Sequence, residues 1–215
     1  PYFVMAYMGG GSLSDRIKKR IYNVEEATRI LEYIAMGLDE AHSKGIIHRD
    51  LKPGNILFNN NDIPKISDFG IAKVTNSQTL DVTGSGIIGT PAYMAPEQAS
   101  GERLDGRSDI YALGVLLYEM LTGKQPYEAD TPLGIAIKHV TEPVPHILDA
   151  NPTLPSWIEK IISTAMAKDR DDRFSTAVEM TETIKAFIRG EQPSLPKDKS
   201  SNNATIKTSP FNKTI

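Results

Sequence analysis

Apolar and polar positions follow two different periods along the chain, and the longest regular stretch is helical. Ala27, Ile30, Leu31, Ile34, Ala35, Leu38 and Ala41 recur at helical spacing as far as Gly45, the pattern of a helix with one buried stripe. Asn23 and Glu26 precede it as a capping box, and Ser12 with Asp15 repeats that pattern at the head of a shorter helix released by Gly9, Gly10 and Gly11. Residues 3–5 read as a buried strand without a nearby partner, which predicts that the chain enters inside a sheet whose other strands lie elsewhere. Ile46 and Ile47 form a short run expected to be buried. Residues 56–58 and 64–67, separated by Asn59, Asn60, Asn61 and Asp62, predict a β-hairpin.

In the second half, residues 109–121 are apolar on nearly every side, which predicts a helix inside the core, stopped by Gly123. Thr131 and Pro132 supply a cap and a first-turn proline for a helix reaching about Val140. A proline-interrupted stretch spans 143–155, and helices follow at 157–166 and from Ser175 to about Ile188. Two stretches have no period. Residues 71–88 are polar and glycine-rich, with Thr75, Ser77, Thr79, Thr83 and Ser85; loops this long within a domain are usually functional or disordered. From Arg189 onward Ser, Thr, Asn, Lys and Pro dominate, too few apolar groups to offset the entropy of ordering. The sum is a mainly α body of six or seven helices carrying one hairpin.

Composition narrows the chemistry. The 215 residues are 40% hydrophobic and 24% charged with net charge −3, as in a soluble globular protein of one or two domains. No basic patch suits nucleic acid or an anionic membrane. The absence of cysteine excludes disulfides, thiol nucleophiles and thiolate metal sites. No secretory leader is expected at the first residues, and the longest apolar region, 110–121, is too short for a membrane span and contains Glu119. His139 and His146 have no third ligand at metal spacing and read as surface or interhelix histidines. Two glycosylation sequons, at Asn203 and Asn212, fall in an Asn- and Thr-rich tail that produces them by chance.

The candidate chemistry lies in residues 48–55, His-Arg-Asp-Leu-Lys-Pro-Gly-Asn. Pro53 and Gly54 make the stretch a loop, and Asp50, Lys52 and Asn55 crowd a carboxylate, an ammonium and an amide into it. Such a set can handle a proton, an anion and a metal; it can also be a charged surface turn. The hairpin geometry adds Asp68, because its two ends return to one place and bring Asp68 beside Asn55. Two oxygen donors there suit a hard cation such as magnesium, whereas a cap on the Phe69-Gly70 turn is the plainer role for Asp68.

Residues 48–55, Asp68-Phe69-Gly70 and Ala95-Pro96-Glu97, in that order and spacing, resemble the protein kinases. The resemblance runs from residue 1 to about Ile188 and, through Lys52, Gly89-Thr90-Pro91 and Gln98, points to the bacterial, eukaryote-like (Hanks-type) Ser/Thr branch. It implies that Asp50 orients the substrate hydroxyl, that Lys52 stabilises the transferring phosphate with Thr90 in contact, and that Asn55 and Asp68 bind Mg2+ under ATP. Met5 would be the gatekeeper, Ala6 and Met8 would face adenine through their backbones, and Leu57 would floor the pocket. Ala6 departs from the acidic residue often found at its position. Asp109 resembles the residue that ties down the catalytic loop, and Glu97 with Arg173 resembles the ion pair closing the activation segment. Arg49 would receive a phosphate placed on Thr83, Ser85 or Thr79. Implied partners are protein substrates bearing Ser or Thr, with self-phosphorylation and dimerisation, and the implied location is cytoplasmic, free or as part of a membrane-anchored protein.

The chain departs from the kinase pattern in one respect. No Gly-x-Gly-x-x-Gly-x-Val motif precedes a strand lysine, and no helix offers that lysine a glutamate. The expected organisation is a last small-lobe strand and hinge at 1–13, a large lobe at 14–188 and a disordered polar tail at 189–215. Negligible activity is expected of this chain alone, as a fragment of an active kinase; a non-catalytic kinase-like scaffold is the alternative.

Overall fold

The computed structural model describes residues 6–69 and 91–196. The expected strand at 3–5 with Met5, the segment from Gly70 to Thr90 with Thr79, Thr83 and Ser85, and the tail beyond 196 lie outside the described residues.

Helix α1 (Leu13–Ile17) begins at Ser12, whose hydroxyl accepts the Asp15 N–H while the Asp15 carboxylate accepts the Ser12 N–H. Helix α2 (Val24–Ser43) starts in the same way at Asn23 and Glu26. Each box satisfies two backbone donors that a helix start leaves without partners. The α2 stripe Ala27, Leu31, Ile34, Ala35 and Leu38 is buried.

Strands β1 (Ile56–Phe58) and β2 (Pro64–Ile66) pair antiparallel, Ile56 opposite Ile66 and Phe58 opposite Pro64. The Asn59 side chain accepts the N–H groups of Asn61 and Ile63, both at 2.9 Å, and so closes the turn. Residues 10 and 11 lie along β1: Gly10 N–H donates to Phe58 O and Phe58 N–H to Gly11 O, both at 2.9 Å. A β-carbon at Gly10 would sit 2.7 Å from the Phe58 β-carbon, so this approach requires glycine. Arg16 clasps the arrangement, its guanidinium 3.4 Å from the Phe58 ring centroid and donating to Gly10 O and Asp62.

The remaining helices are α3 (Pro96–Ala99), α4 (Gly106–Thr122), α5 (Pro132–Thr141), α6 (Ile147–Ala150), α7 (Trp157–Ala165) and α8 (Ala177–Ile188). Helix α4 is the core: Ile110, Leu113, Leu116, Leu117 and Leu121 are fully buried, with α2, α7 and α8 packed around it. Burial of each such side chain stabilises by about 1.5–3 kcal/mol. Gly123, at φ 72°, ends α4 in the left-handed conformation that its sequence position predicts. Asp39 of α2 accepts the Ala177 and Val178 N–H groups, capping α8 from a neighbouring helix.

Among the described residues the fold is mainly helical with one two-stranded sheet, as expected of a kinase large lobe. Several details differ from the sequence reading. Helix α4 starts at Gly106 rather than 109, because Asp105 caps a first turn that its glycine hides from any periodicity. Helices α3 and α6 are four residues each, barely one turn and too short to show a repeat, and raise the count to eight among the described residues. Ile46 is not buried but 48% exposed; the turn out of α2 at Gly45 carries it outward, and His48 and Leu51 anchor the segment instead. The chain also stays packed past Ile188: Glu191 N–H donates to Ala186 O, and Leu195 rests on the core. No helix among the described residues is long and apolar enough to cross a membrane.

Candidate active site

The loop after α2 is held by a side chain from α4. Asp109, 1% exposed, accepts the His48 N–H on Oδ2 at 2.8 Å and the Arg49 N–H on Oδ1 at 2.9 Å. The His42 ring, from the last turn of α2, reaches the same Oδ2 at 2.7 Å. Three donors on one buried carboxylate offset its loss of water. They also fix Arg49 at φ 66°, a left-handed backbone that a non-glycine residue keeps only when its surroundings impose it.

His48 joins the loop to the hairpin. Its ring is fully buried; Nδ1 accepts the Asp50 N–H at 3.3 Å, so Nε2 carries the proton donated to Ser67 O at 3.0 Å. The Phe69 ring packs on it at 4.8 Å between centroids.

Asp50, Lys52 and Asn55 converge on the open side. Lys52 Nζ lies 2.8 Å from Asp50 Oδ2; the Asn55 amide donates to Asp50 O at 2.8 Å and to Asp50 Oδ2 at 3.2 Å. The 3-10 turn Pro53–Asn55 brings the amide back to the aspartate, and Pro53 and Asn55 are buried within it. Ser67 N–H donates to Asn55 O at 2.8 Å, and its hydroxyl to Asp68 Oδ2 at 3.1 Å. The two ends of the hairpin thus meet, with Asp68 exposed and at φ 55°.

The oxygen set suits a hard cation. The Asn55 nitrogen is committed to Asp50, which leaves Oδ1 as the group that can face a cation, and the Asp68 carboxylate is open to solvent. Among those residues no group of three or more His, Asp or Glu could hold a metal. A cation here would therefore take most of its ligands from water or phosphate, as magnesium does.

A second wall is built from the 3-10 turn Pro91–Tyr93 and α3. Glu97 and Arg173 form a buried two-point ion pair, at 2.7 and 2.8 Å, and Ser108 donates to Glu97 at 2.7 Å. Burial alone would raise the Glu97 carboxyl, but the Arg173 bonds and Ser108 outweigh it and hold it below its usual value. The Tyr93 hydroxyl bonds Glu119 of α4, and Gln98 donates to Arg49 O at 2.9 Å, joining this wall to the catalytic-type loop.

The structure thus brings Asp50, Lys52, Asn55 and Asp68 to one place, with Asp109 behind them and Arg49 alongside. Leu57 and Met8 are half-buried and Ala6 is exposed, near the paired residues 10–11 and β1. The Arg49 Nε is buried without a hydrogen-bond partner among the described residues. Sequence reasoning missed the roles of His42, Ser108 and Glu119, none of which stands in a motif. His146 is a surface residue beside Glu159, as one of its two readings had it, whereas His139 is fully buried between helices.

The family profile described as "Protein kinase domain" matches residues 1–185. The chain is 42% identical over 198 residues to a probable serine/threonine-protein kinase PknB of Bifidobacterium longum, covering 90% of the chain and 28% of that relative. It is 40% identical over 186 residues to a probable serine/threonine-protein kinase of Clostridium acetobutylicum, 85% of the chain and 28% of the relative. A serine/threonine-protein kinase PknB of Mycolicibacterium smegmatis is 39% identical over 203 residues, 92% of the chain and 32% of the relative. The chain spans less than a third of the length of each of these three relatives.

Proposed function

The chain belongs to the protein kinase family, in its bacterial serine/threonine branch, and from that premise we propose that its site serves ATP-dependent phosphoryl transfer to Ser or Thr hydroxyls of proteins. The observation that carries this reading is the convergence of Lys52 and Asn55 on the Asp50 carboxylate, over a loop whose backbone Asp109 clamps.

In this reading Asp50, oriented by Asn55 and Lys52, receives the proton of the attacking hydroxyl. Lys52 shifts its ammonium from Asp50 toward the transferring group, and Thr90 contacts both. Asn55 Oδ1 and the Asp68 carboxylate would hold Mg2+, which would supply positive charge where the phosphoryl oxygens gather negative charge. Ala6, Met8 and Leu57 line the adenine end, with Met5 as gatekeeper. Arg49, with its spare buried Nε, receives a phosphate added at Thr83, Ser85 or Thr79.

The chain contains no glycine-rich loop and strand lysine, so by itself it is expected to transfer phosphate negligibly. The test is expression of the full open reading frame and transfer from radiolabelled ATP to Ser/Thr peptides. Asp50→Asn should lower the rate by about a thousandfold. Transfer that Asp50→Asn leaves unchanged sinks the assignment, and a full-length protein that binds partners but transfers nothing is a scaffold.

A further inference from the structure

Helix α5 carries a histidine that the reaction as described does not use. His139 is fully buried, an expensive place for an imidazole unless both ring nitrogens are satisfied. Both are: Nε2 lies 3.0 Å from Ala92 O and Nδ1 lies 2.9 Å from the Tyr111 hydroxyl. A carbonyl can only accept, so Nε2 carries the proton, and the tyrosine hydroxyl donates to Nδ1.

One ring contact and two ties on its surroundings fix it further. Tyr127 meets it edge-on with 4.8 Å between centroids, and Lys168 Nζ donates to the His139 carbonyl at 2.7 Å and to the Tyr127 hydroxyl at 3.0 Å. Arg173 stacks over Tyr111 at 4.9 Å, so the network borders the Glu97 ion pair. A fixed ring therefore grips one backbone oxygen.

That oxygen belongs to Ala92, two residues after Thr90 and in the turn that leads into α3. Other ties on this segment come from α4, through Glu119 and Ser108, from Gln125 after α4, from Arg173 before α8, and from the Arg49 carbonyl. The bond from His139 links the segment to α5, which packs against both the turn and α3.

We propose that His139 is a positioning residue for peptide acceptors: by holding the Ala92 carbonyl it fixes the turn Pro91–Tyr93, which leads into the α3 residue Gln98 that bonds the Arg49 carbonyl beside Asp50. This rests on the kinase reading above. Neither Ala92 nor His139 need touch the nucleotide, so the residue acts on the acceptor side alone.

Two near-isosteric variants separate positioning from plain packing. Gln places an amide nitrogen where Nε2 stood and can keep the bond to Ala92; Asn reaches only to the Nδ1 position and keeps the bond to Tyr111. In the full-length protein, His139→Asn should raise the peptide KM by about tenfold with the ATP KM unchanged, and His139→Gln should restore the parent value. Hydrogen exchange in the unmodified and variant chains gives a readout independent of activity. The Met94 N–H, bonded to Pro91 O within the turn, should exchange faster in His139→Asn and not in His139→Gln. Equal exchange in the two variants, or a peptide KM that tracks their melting temperatures instead of the Ala92 bond, overturns the proposal. Should the parent show no Asp50-dependent transfer, the kinase reading fails with it as a substrate claim, while exchange alone still decides whether His139 holds the turn.

Discussion

Asp109 determines the backbone of Arg49 from sixty residues further along the chain, through an N–H bond of 2.9 Å to a carboxylate that also holds His48. The left-handed φ of 66° at Arg49 turns the chain so that Asp50 faces the open side. Asp109→Asn should therefore do two things. An amide offers one acceptor oxygen in place of two and turns its nitrogen toward an N–H donor, so stability should fall by about 1–3 kcal/mol in urea titration. Phosphoryl transfer by the full-length protein should fall more than the folded fraction does, because Asp50 loses its placement.

The Glu97–Arg173 pair gives a second outcome. Arg173→Ala leaves a buried carboxylate uncompensated and should cost about 3–5 kcal/mol, read as a lowered midpoint in chemical denaturation. Because the folded Glu97 is held below its ordinary value of 4.5, the pair contributes stability above that pH and loses it as the pH falls through the folded value. Arg173→Ala should flatten that acid limb.

His139 predicts a dependence at milder pH. Burial, and then the charge of Lys168, push the imidazole down to about 4 against the Ala92 bond that favours protonation. Its neighbours are Tyr111 from α4, Tyr127 before α5, and Lys168 after α7, with Arg173 over Tyr111; no carboxylate bonds the ring. Between pH 6.5 and about 4 the unfolded chain takes up a proton that the folded chain does not, so stability should decline as the pH falls through that window, by about 3 kcal/mol in total. Denaturation of the parent and of His139→Gln at about pH 7 and about pH 5 checks it. Parallel losses in both proteins would refute the assignment.

Asp68 should matter for the cation rather than for the fold. It is exposed, and asparagine tolerates its φ of 55° and keeps an acceptor for Ser67, so Asp68→Asn should change stability by less than about 0.5 kcal/mol. Binding of manganese(II) as a magnesium surrogate, followed by electron paramagnetic resonance in the presence of ATP, should weaken by about tenfold or more.

Gly10→Ala tests the join between the entering chain and the hairpin. The added β-carbon would lie 2.7 Å from the Phe58 β-carbon and 2.8 Å from Asn59 O, contacts that neither backbone can relieve alone. A loss of about 1–3 kcal/mol is expected, and Arg16→Ala, which removes the clasp without a clash, should cost less.

What the sequence determined by itself is what neighbours along the chain decide. The capping boxes at Ser12 and Asn23, the stripe of α2, the proline start of α5, the Gly123 stop and the hairpin itself, though not its register, all depend on groups a few residues apart, so each was legible in order. The three kinase motifs were legible for the same reason, because their reactive groups are contiguous. Tertiary structure decided the rest. Asp109 meets the loop, His42 joins it, Arg173 meets Glu97 and His139 meets Ala92 across separations of 47 to 76 residues. The family resemblance named the Asp109 and Glu97–Arg173 contacts, but no local period encodes such meetings, and nothing in the sequence announced those of His42 and His139. They exist because α4 is buried among α2, α7 and α8, and a polar group carried into that core must find its partner wherever the packing brings one. Ile46 shows the converse: an apolar side chain with no packed neighbour to reach stays at the surface, whatever its hydrophobicity predicts.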